Sequence, residues 1–316
     1  MVARTRYAPD RGLTARMTAT MFLLGLVFVA FVAAIILILS AVNASSGVIV
    51  LAAIVLGGGL AIGSLFYSDK IALSSAGAVE VTPQEAPKLH GVVDRICALA
   101  DMPKPRIAIS PTDLPNAFAT GRNTEHAVLC VTQGLLRRLD REELEGVIAH
   151  ELSHVAHKDV MVMTIASFLA IIAGLLIRFS FYGELFGGGG RRDSNNQSAL
   201  PVLLIIMAVS IVVYAISFLL IRLLSRYREL SADRSGALLT GQPSALASAL
   251  QKVSGTIAKI PTKDLREAQP LNAFFFVPAL SAREGQTKIA ELFSTHPPLD
   301  KRLAQLAKIS QQLSRQ

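Results

Sequence analysis

The chain has 316 residues, of which 52% are hydrophobic, and its mean hydropathy of +0.47 excludes an ordinary soluble enzyme of this size. Its formal net charge is +8, but the basic residues lie mainly beside apolar runs and Trp is absent. Attraction to anionic lipid headgroups is the simpler explanation of this charge. We therefore expect a lipid bilayer as partner and no nucleic acid.

Two uninterrupted apolar runs, residues 20–42 and 48–67, follow the N-terminus. Each is long enough to cross roughly 30 Å of hydrocarbon as a helix. The linker between them is short and uncharged, so residues 1–67 are predicted to form a tail and a transmembrane hairpin. A secretory signal peptide is excluded because the first run is too long and a second run follows immediately.

Residues 68–159 are predicted to begin a catalytic domain. The pattern Thr82-Pro83-Gln84-Glu85 predicts the start of a helix. Two short runs, Arg106–Ser110 and Ala127–Thr132, predict strands of a small sheet, with Asn116–Ala119 between them. An exposed edge of such a sheet can hold an extended substrate, although strands that only build the core are the alternative.

The most informative stretch is His150-Glu151-Leu152-Ser153-His154, which reads His-Glu-x-x-His. Asp140 and Glu143 predict a capping box that starts a helix around it. Positions i and i+4 of a helix share one face, so both imidazoles can bind one zinc ion. In this setting the pattern predicts a zinc site rather than histidines that only cap or pack the helix.

Glu151 is rotated about 100° around the helix from His150, so it does not easily join that pair as a ligand. Its carboxylate can instead reach a water molecule held by the metal, whose pKa zinc lowers to about 7. We therefore predict that Glu151 is the general base of a metal-assisted hydrolysis of peptide bonds.

Residues 160–221 are predicted to carry a second pair of apolar spans, at 160–177 and 199–221, joined by a Gly-rich and polar loop. Residues 222–316 then supply the second part of the catalytic domain. Together with the first part they give roughly 185 residues, enough for one well-packed core. The run Ala273–Pro278 in this part predicts a buried strand.

The positive-inside bias predicts the topology of the chain. Four arginines precede the first span, at Arg4, Arg6, Arg11 and Arg16. They place the N-terminus, the catalytic domain and the C-terminus in the cytoplasm. Three arginines in the loop between the third and fourth spans argue mildly against this orientation: Arg178, Arg191 and Arg192.

A catalytic zinc with two histidine ligands needs a third protein ligand and one position open for water. His157 is the nearest candidate, but a third ligand from the same short helix would strain tetrahedral geometry. Glu229 is the better candidate, and Asp233, one helical turn later, can orient a ligating imidazole. A solvated acidic face paired with neighbouring arginines is the alternative interpretation.

Four patterns in this order carry a resemblance to a known family: Asn116-Ala117-Phe118-Ala119, the His-Glu-x-x-His stretch, Arg226-x-x-Glu229-x-x-x-Asp233 and Thr295-His296-Pro297-Pro298. With its two N-terminal apolar runs, the chain resembles the HtpX family of membrane zinc metalloproteases, which are related to CaaX prenyl proteases. The resemblance covers nearly the whole chain, except the N-terminal tail and the Gly-rich loop.

The resemblance and the patterns together predict an integral membrane protein, mainly α. It would have two to four transmembrane helices and a cytoplasmic, gluzincin-like α+β zinc-protease domain with a small sheet. The resemblance implies one Zn²⁺ per chain, held by His150, His154 and Glu229, with Glu151 as general base.

Two helper roles rest mostly on this resemblance. His296 would donate a hydrogen bond to the oxyanion that forms during cleavage, or else only starts a helix before two prolines. Asn116 would bind the substrate backbone next to the scissile bond, or else only forms a turn.

The resemblance also implies cleavage of misfolded or damaged membrane proteins at cytoplasmic segments, in stress-related quality control at the inner (plasma) membrane. The spacing of the ligands from the predicted spans agrees with membrane-protein substrates, since it puts the zinc about 10 Å from the membrane surface. A CaaX-type processing protease and a non-catalytic, zinc-stabilised membrane scaffold are the alternatives. The sequence makes no prediction of the oligomeric state.

Overall fold

The computed structural model describes residues 11–41, 47–187, 199–259 and 294–315. The helices and strands, in chain order, are α1 (Arg11–Ala41), α2 (Gly47–Ser75), β1 (Val79–Glu80), α3 (Pro87–Ala100), β2 (Arg106–Ser110), β3 (Ala117–Thr120), β4 (Val128–Thr132), α4 (Gln133–Leu136), α5 (Arg141–Ala156), α6 (Asp159–Gly187), α7 (Ala199–Thr240), α8 (Pro243–Ala258) and α9 (Leu299–Leu313). The strand predicted at Ala273–Pro278 and the loop at 188–198 lie outside the described residues.

The chain divides into two compact units, each made of segments that are distant in sequence. The first unit comprises Met1–Met17, Leu65–Val162 and Ser225–Gln316. The second unit comprises Thr18–Ser64 and Met163–Leu224. The sheet, the motif helix α5 and the C-terminal helices therefore belong to the first unit, and most of the apolar length of α1, α2, α6 and α7 belongs to the second.

Three helical stretches of the described chain are long and apolar enough to cross a membrane, judged by length and composition: Arg11–Ile38, Asp159–Tyr182 and Pro201–Thr240. In the second unit, one buried cluster joins side chains of α1, α6 and α7, among them Phe31, Leu169 and Ile206. Other large apolar side chains on these helices are exposed, as hydrocarbon contact requires. With the small mixed sheet of the first unit, these helices confirm the predicted fold class.

The sheet of the first unit has the strand order β1-β2-β4-β3. Strands β2 and β4 are parallel, and the outer strands β1 and β3 pair antiparallel with them. Strand β3 is thus an edge strand, whereas β4 is central and buried along its whole length. The two predicted strands are confirmed. The segment around Ala117–Thr120, for which the sequence predicted no strand, is a third one.

Side chains alternate across the sheet because successive residues of a strand point to opposite faces. Ile107, Leu129 and Val131 lie in the main buried cluster, which also holds residues of α3, α5, α8 and α9. Phe118 and Cys130 belong to a smaller cluster with residues near the end of α2. The sheet is therefore covered on both faces, and α5 packs against one of them.

Helix α5 begins as its sequence predicts. The Asp140 side chain accepts a hydrogen bond from the Glu143 backbone N–H at 2.9 Å, and Glu143 Oε2 accepts one from the Asp140 N–H at 3.1 Å. Glu143 is buried, and its Oε1 also accepts a hydrogen bond from Ser248 Oγ of α8 at 2.6 Å. The cap thus fixes both the start of the motif helix and its contact with α8.

The pattern Thr82-Pro83-Gln84-Glu85, which predicted a second capping box, does not start a helix. Glu85 Oε2 does accept a hydrogen bond from the Thr82 N–H at 2.7 Å. However, α3 begins at Pro87, after Ala86 as its N-cap residue. Pro87 is the residue whose missing N–H and fixed φ suit a first helical position, so the box closes only the preceding turn.

We predict that Glu143→Ala lowers the free energy of unfolding by about 2 kcal/mol, because it removes half of the capping box and a buried hydrogen bond. Unfolding of the purified chain in detergent, followed by circular dichroism, measures this change. Glu142→Ala, which alters an exposed carboxylate in the same helical turn, is the matched control and should stay within about 0.5 kcal/mol of the parent. Equal losses in the two variants would contradict the assignment.

Candidate metal centre

Helix α5 brings the two motif histidines together at the centre of the first unit. His150 and His154 lie one turn apart on α5, and their Nε2 atoms are 3.3 Å apart. His150 is almost fully buried, whereas the side chain of His154 is 12% exposed. The two Nε2 atoms therefore face the same small volume beside α5.

Helix α7 adds a carboxylate to the same volume. Glu229 Oε2 lies 3.7 Å from His150 Nε2, and Glu229 Oε1 lies 3.4 Å from His154 Nε2. One ligand atom from each of the three residues lies within 4.8 Å of the others. These three side chains come from two helices that are distant in sequence, as the prediction of Glu229 required.

The spacing of these atoms fits a tetrahedral zinc site. With zinc bonds of about 2.0–2.2 Å to nitrogen and oxygen, the ligand atoms of a tetrahedron are separated by roughly 3.3–3.6 Å. The distance between the two Nε2 atoms and the distance from His154 Nε2 to Glu229 Oε1 fall in that range, and His150 Nε2 lies 3.7 Å from the other carboxylate oxygen, Oε2. Two imidazoles with one carboxylate also form a donor set used by catalytic zinc, with one position left for water.

An aspartate lies in contact with the other nitrogen of His150. His150 Nδ1 lies 2.9 Å from Asp233 Oδ1, and Asp233 is fully buried on α7, one turn after Glu229. Arg302 of α9 contacts both carboxylate oxygens of Asp233, through Nε at 2.7 Å and Nη2 at 2.6 Å. A bidentate contact of this kind fixes the plane of the carboxylate and hence the ring of His150.

His154 has an equivalent partner. Its Nδ1 lies 2.6 Å from Oδ2 of Asp159, the first residue of α6. Arg228 Nη2 lies 2.8 Å from the same oxygen. Lys158 has a left-handed backbone with φ of 56°, which turns the chain between α5 and α6 and lets Asp159 reach back to His154. Each motif histidine is thus held by an aspartate, and each aspartate by an arginine.

Buried charges favour a cation in this centre. Four buried carboxylates surround the two imidazoles, namely Glu151, Asp159, Glu229 and Asp233. Two guanidinium groups, of Arg228 and Arg302, face them. With neutral imidazoles the formal charge of this set is −2, which a divalent cation would balance. Burial disfavours a charged His154 ring, but its bonds to Asp159 and Glu229 outweigh this and raise its pKa.

Glu151 lies beside the ligands and is not one of the three. Its side chain is buried, and Oε2 accepts a hydrogen bond from the Ala119 N–H of β3 at 3.2 Å. Burial raises the pKa of this carboxyl, and the two neighbouring imidazoles oppose that rise. A carboxylate with a raised pKa is a stronger base than one in water, which suits proton transfer.

The outer edge of β3, on the side away from β4, faces the same place. The Thr132 N–H donates to the Asn116 carbonyl, so in this antiparallel pair the polar groups of residues 116, 118 and 120 turn toward β4. Those of Ala117 and Ala119 turn away, and the Ala119 N–H accordingly reaches Glu151. Among the described residues no further strand pairs with this outer edge of β3, and the edge runs next to the proposed base.

Of the other candidate residues, His296 contacts a proposed ligand, whereas Asn116 is held by the sheet and His157 ends α5. His296 is buried, and its Nδ1 lies 2.9 Å from Glu229 Oε2. Asn116 is buried at the start of β3, where its backbone N–H donates to Thr132 Oγ1 at 2.9 Å. His157 is the C-cap residue of α5 and does not belong to the metal cluster formed by the described residues.

Sequence reasoning missed three partners in this centre: Asp159 and Arg302, which are buried, and Arg228, which is partly buried. One of them left a signal in the sequence. Arg302, Leu306 and Ile309 stand at positions i, i+4 and i+7 of α9 and are all buried, so a charged residue occupies the apolar face of an amphipathic helix. A cation at such a position needs a buried anion, and Asp233 is that anion.

Comparisons with known proteins agree with this geometry. Residues 83–310 match the description Peptidase family M48. The chain is 57% identical over 310 residues to "Protease HtpX homolog 1" of Streptomyces coelicolor, covering 98% of this chain and 97% of that protein. It is 49% identical over 311 residues to "Protease HtpX homolog" of Moorella thermoacetica, covering 98% of each.

A solved structure shows a similar fold. The crystal structure of S. mikatae Ste24p superposes with a TM-score of 0.50 at 16% identity, covering 94% of this chain and 66% of that one. At this identity the likeness concerns the fold alone. The family match and the two relatives carry the assignment: the chain is a metallopeptidase with membrane helices and belongs to peptidase family M48.

Proposed function

We propose that this metallopeptidase is a zinc-dependent endopeptidase that cleaves misfolded or damaged membrane proteins at cytoplasmic segments. The observation that carries the proposal is the convergence of His150 Nε2, His154 Nε2 and the Glu229 carboxylate beside the buried Glu151. A purely structural zinc is normally closed by four protein ligands. Three ligands with an adjacent carboxylate base instead support hydrolysis.

Each residue of the centre has a distinct part in the proposed reaction. His150, His154 and Glu229 would hold Zn²⁺. When bound, the ion supplies a Lewis acid for the substrate carbonyl and lowers the pKa of water to about 7. Glu151 accepts the proton of the attacking water and passes it to the leaving amine. We assign this transfer to Oε1, because Oε2 accepts the hydrogen bond from Ala119.

The edge of β3 supports an extended mode of substrate binding. The backbone polar groups of buried Ala117 and partly buried Ala119 lie on the side of the strand that faces away from β4. A substrate segment that pairs with this edge would be held by main-chain hydrogen bonds, which tolerate many side chains. Such tolerance suits an enzyme that removes damaged proteins of varied sequence.

His296 and Asn116 are proposed as helpers. The Nδ1 contact of His296 with Glu229 leaves Nε2 as the nitrogen that would donate to the oxyanion. The backbone of Asn116 is used by the sheet, so the proposed contact with substrate falls to its side-chain amide.

The link to membrane substrates rests on chain connectivity. His154 is hydrogen-bonded to Asp159, which begins a helix long and apolar enough to span a membrane. Glu229 lies on α7, which includes another such stretch. Together with the arginines before the first span, this supports an inner-membrane enzyme whose catalytic domain and termini are cytoplasmic.

The two alternatives make different predictions in one assay. The full-length chain, purified in detergent, is incubated with casein in the presence of zinc or of a chelator. We expect cleavage that requires zinc. Absence of cleavage by a zinc-loaded protein would favour the scaffold, and cleavage confined to prenylated peptides would favour a CaaX-type processing enzyme.

We predict that Glu151→Gln abolishes proteolysis while leaving zinc bound, because the amide keeps the size of the side chain but cannot take a proton. The expected loss in kcat is on the order of 100- to 10,000-fold. Cleavage rates and elemental analysis of the same preparation measure both quantities. Substantial activity in this variant would contradict the role of Glu151.

We predict that Asp159→Asn weakens zinc binding roughly 10- to 100-fold, the usual effect of removing a carboxylate that orients a ligating histidine. Competition with a chromogenic chelator measures the zinc dissociation constant. Asp113→Asn is the matched control, since Asp113 is likewise paired with arginine, here Arg137 and Arg138, but on the surface. An unchanged constant in Asp159→Asn would argue that Asp159 does not position His154.

We predict that a cleavable loop is cut faster when it is anchored in the same bilayer than when it is free. Anchoring raises its effective concentration near a membrane-bound enzyme, so a gain of about tenfold or more in rate is expected at low substrate. Proteoliposomes with an anchored or a soluble form of one loop provide the comparison. Equal rates would count against membrane-protein substrates.

A further inference from the structure

Gly236 lies on α7 at a point where this helix touches the backbone of the motif helix. It follows Glu229 by seven residues and Asp233 by three, so all three lie on the same face of α7. The two acidic residues contact His150 through their side chains. Gly236 therefore belongs to the same contact between α7 and α5.

At this contact there is no room for a side chain. A Cβ built at Gly236 would lie 2.9 Å from the backbone N of His150 and 3.2 Å from both its Cα and the carbonyl carbon of Ala149. All three are main-chain atoms of α5 and cannot rotate away, as the tip of a flexible side chain can. An alanine would force the two helices apart.

Separation of the helices would act directly on the metal centre. Asp233 Oδ1 stands 2.9 Å from His150 Nδ1, and the attraction between these two groups falls as they separate. The Glu229 carboxylate, carried by the same helix, would move away from both Nε2 atoms. A few tenths of an ångström at Gly236 are therefore enough to disturb two of the groups that define the centre.

We propose that Gly236 is a positioning residue for the metal centre: its missing side chain sets the distance at which Glu229 and Asp233 meet His150. The inference rests on the proposed zinc site. Gly236 lies outside the His-Glu-x-x-His stretch, yet it would contribute to metal affinity. This contribution is separate from its contribution to stability.

The chain supplies a matched control on α5. A Cβ built at Gly146, one turn before His150, would lie 3.2 Å from the N, Cα and Cβ atoms of Leu246 on α8. Gly146→Ala thus crowds a second tight helix contact of the same unit. Helix α8 carries none of the proposed ligands or their partners, so this substitution should cost stability without changing the ligand geometry.

The test compares the full-length parent, Gly236→Ala and Gly146→Ala in detergent. Two quantities are measured: the zinc dissociation constant, by chelator competition, and the thermal midpoint of the zinc-free protein. We expect both variants to unfold at lower temperature than the parent. Only Gly236→Ala should bind zinc more weakly, by about 10-fold or more. The visible spectrum of its cobalt-substituted form should also lose the intensity typical of a four-coordinate site.

Each outcome decides the proposal. Parent-like zinc affinity in Gly236→Ala, or equal weakening in the two variants, would overturn it. Should Gly236→Ala not fold, the double variant Gly236→Ala/Asp233→Glu decides, because a longer carboxylate can span the widened gap. Recovery of a folded, zinc-binding protein supports the proposal and failure overturns it. A parent chain without zinc affinity would instead refute the proposed function itself.

Discussion

The approach of α7 to α5 is the constraint on which the rest of the centre depends, because it buries four carboxylates around two imidazoles. Leaving such charges unpaired would cost several kcal/mol each. Arg228 and Arg302 offset part of this cost by pairing with Asp159 and Asp233. The charge that remains suits a divalent cation, so binding of the ion and stability of the centre are linked: a ligand that binds only the folded state adds to its stability.

Helices and sheet make separate contributions to the centre. The proposed ligands and their aspartate partners come from α5, α6 and α7, whose backbones are held by their own hydrogen bonds. The contact to the proposed base comes from β3, through the Ala119 N–H. Glu151 itself belongs to α5 together with the two histidines, and only the hydrogen bond to its Oε2 comes from β3. The proposed pairing of substrate with the outer edge of β3 would therefore align the substrate with Glu151. Groups on regular elements also hold their geometry more closely than groups on loops.

The parts that were predictable from the sequence are those encoded locally. The capping box at Asp140, the spacing of the two histidines and the runs of β2 each depend on residues a few positions apart. By contrast, Asp159 reaches His154 only because the chain turns at Lys158. Arg302 reaches Asp233 only because α9 packs against α7, and no local pattern states that. Strand β3 was missed because its four residues carry two alanines and only one β-branched side chain.

The apolar parts of α6 and α7 are inserted in the sequence between residues of the metal centre. Residues 163–224, between the ligands His154 and Glu229, form part of the second unit, where α6 and α7 contribute to one buried cluster. In the first unit the Asp159–Arg228 pair joins the start of α6 to the part of α7 that carries Glu229. If this segment were a flexible loop, bringing His154 and Glu229 together would cost the conformational entropy that a loop loses when its ends are joined. Two packed helices have already lost most of this entropy, whether or not the metal is bound.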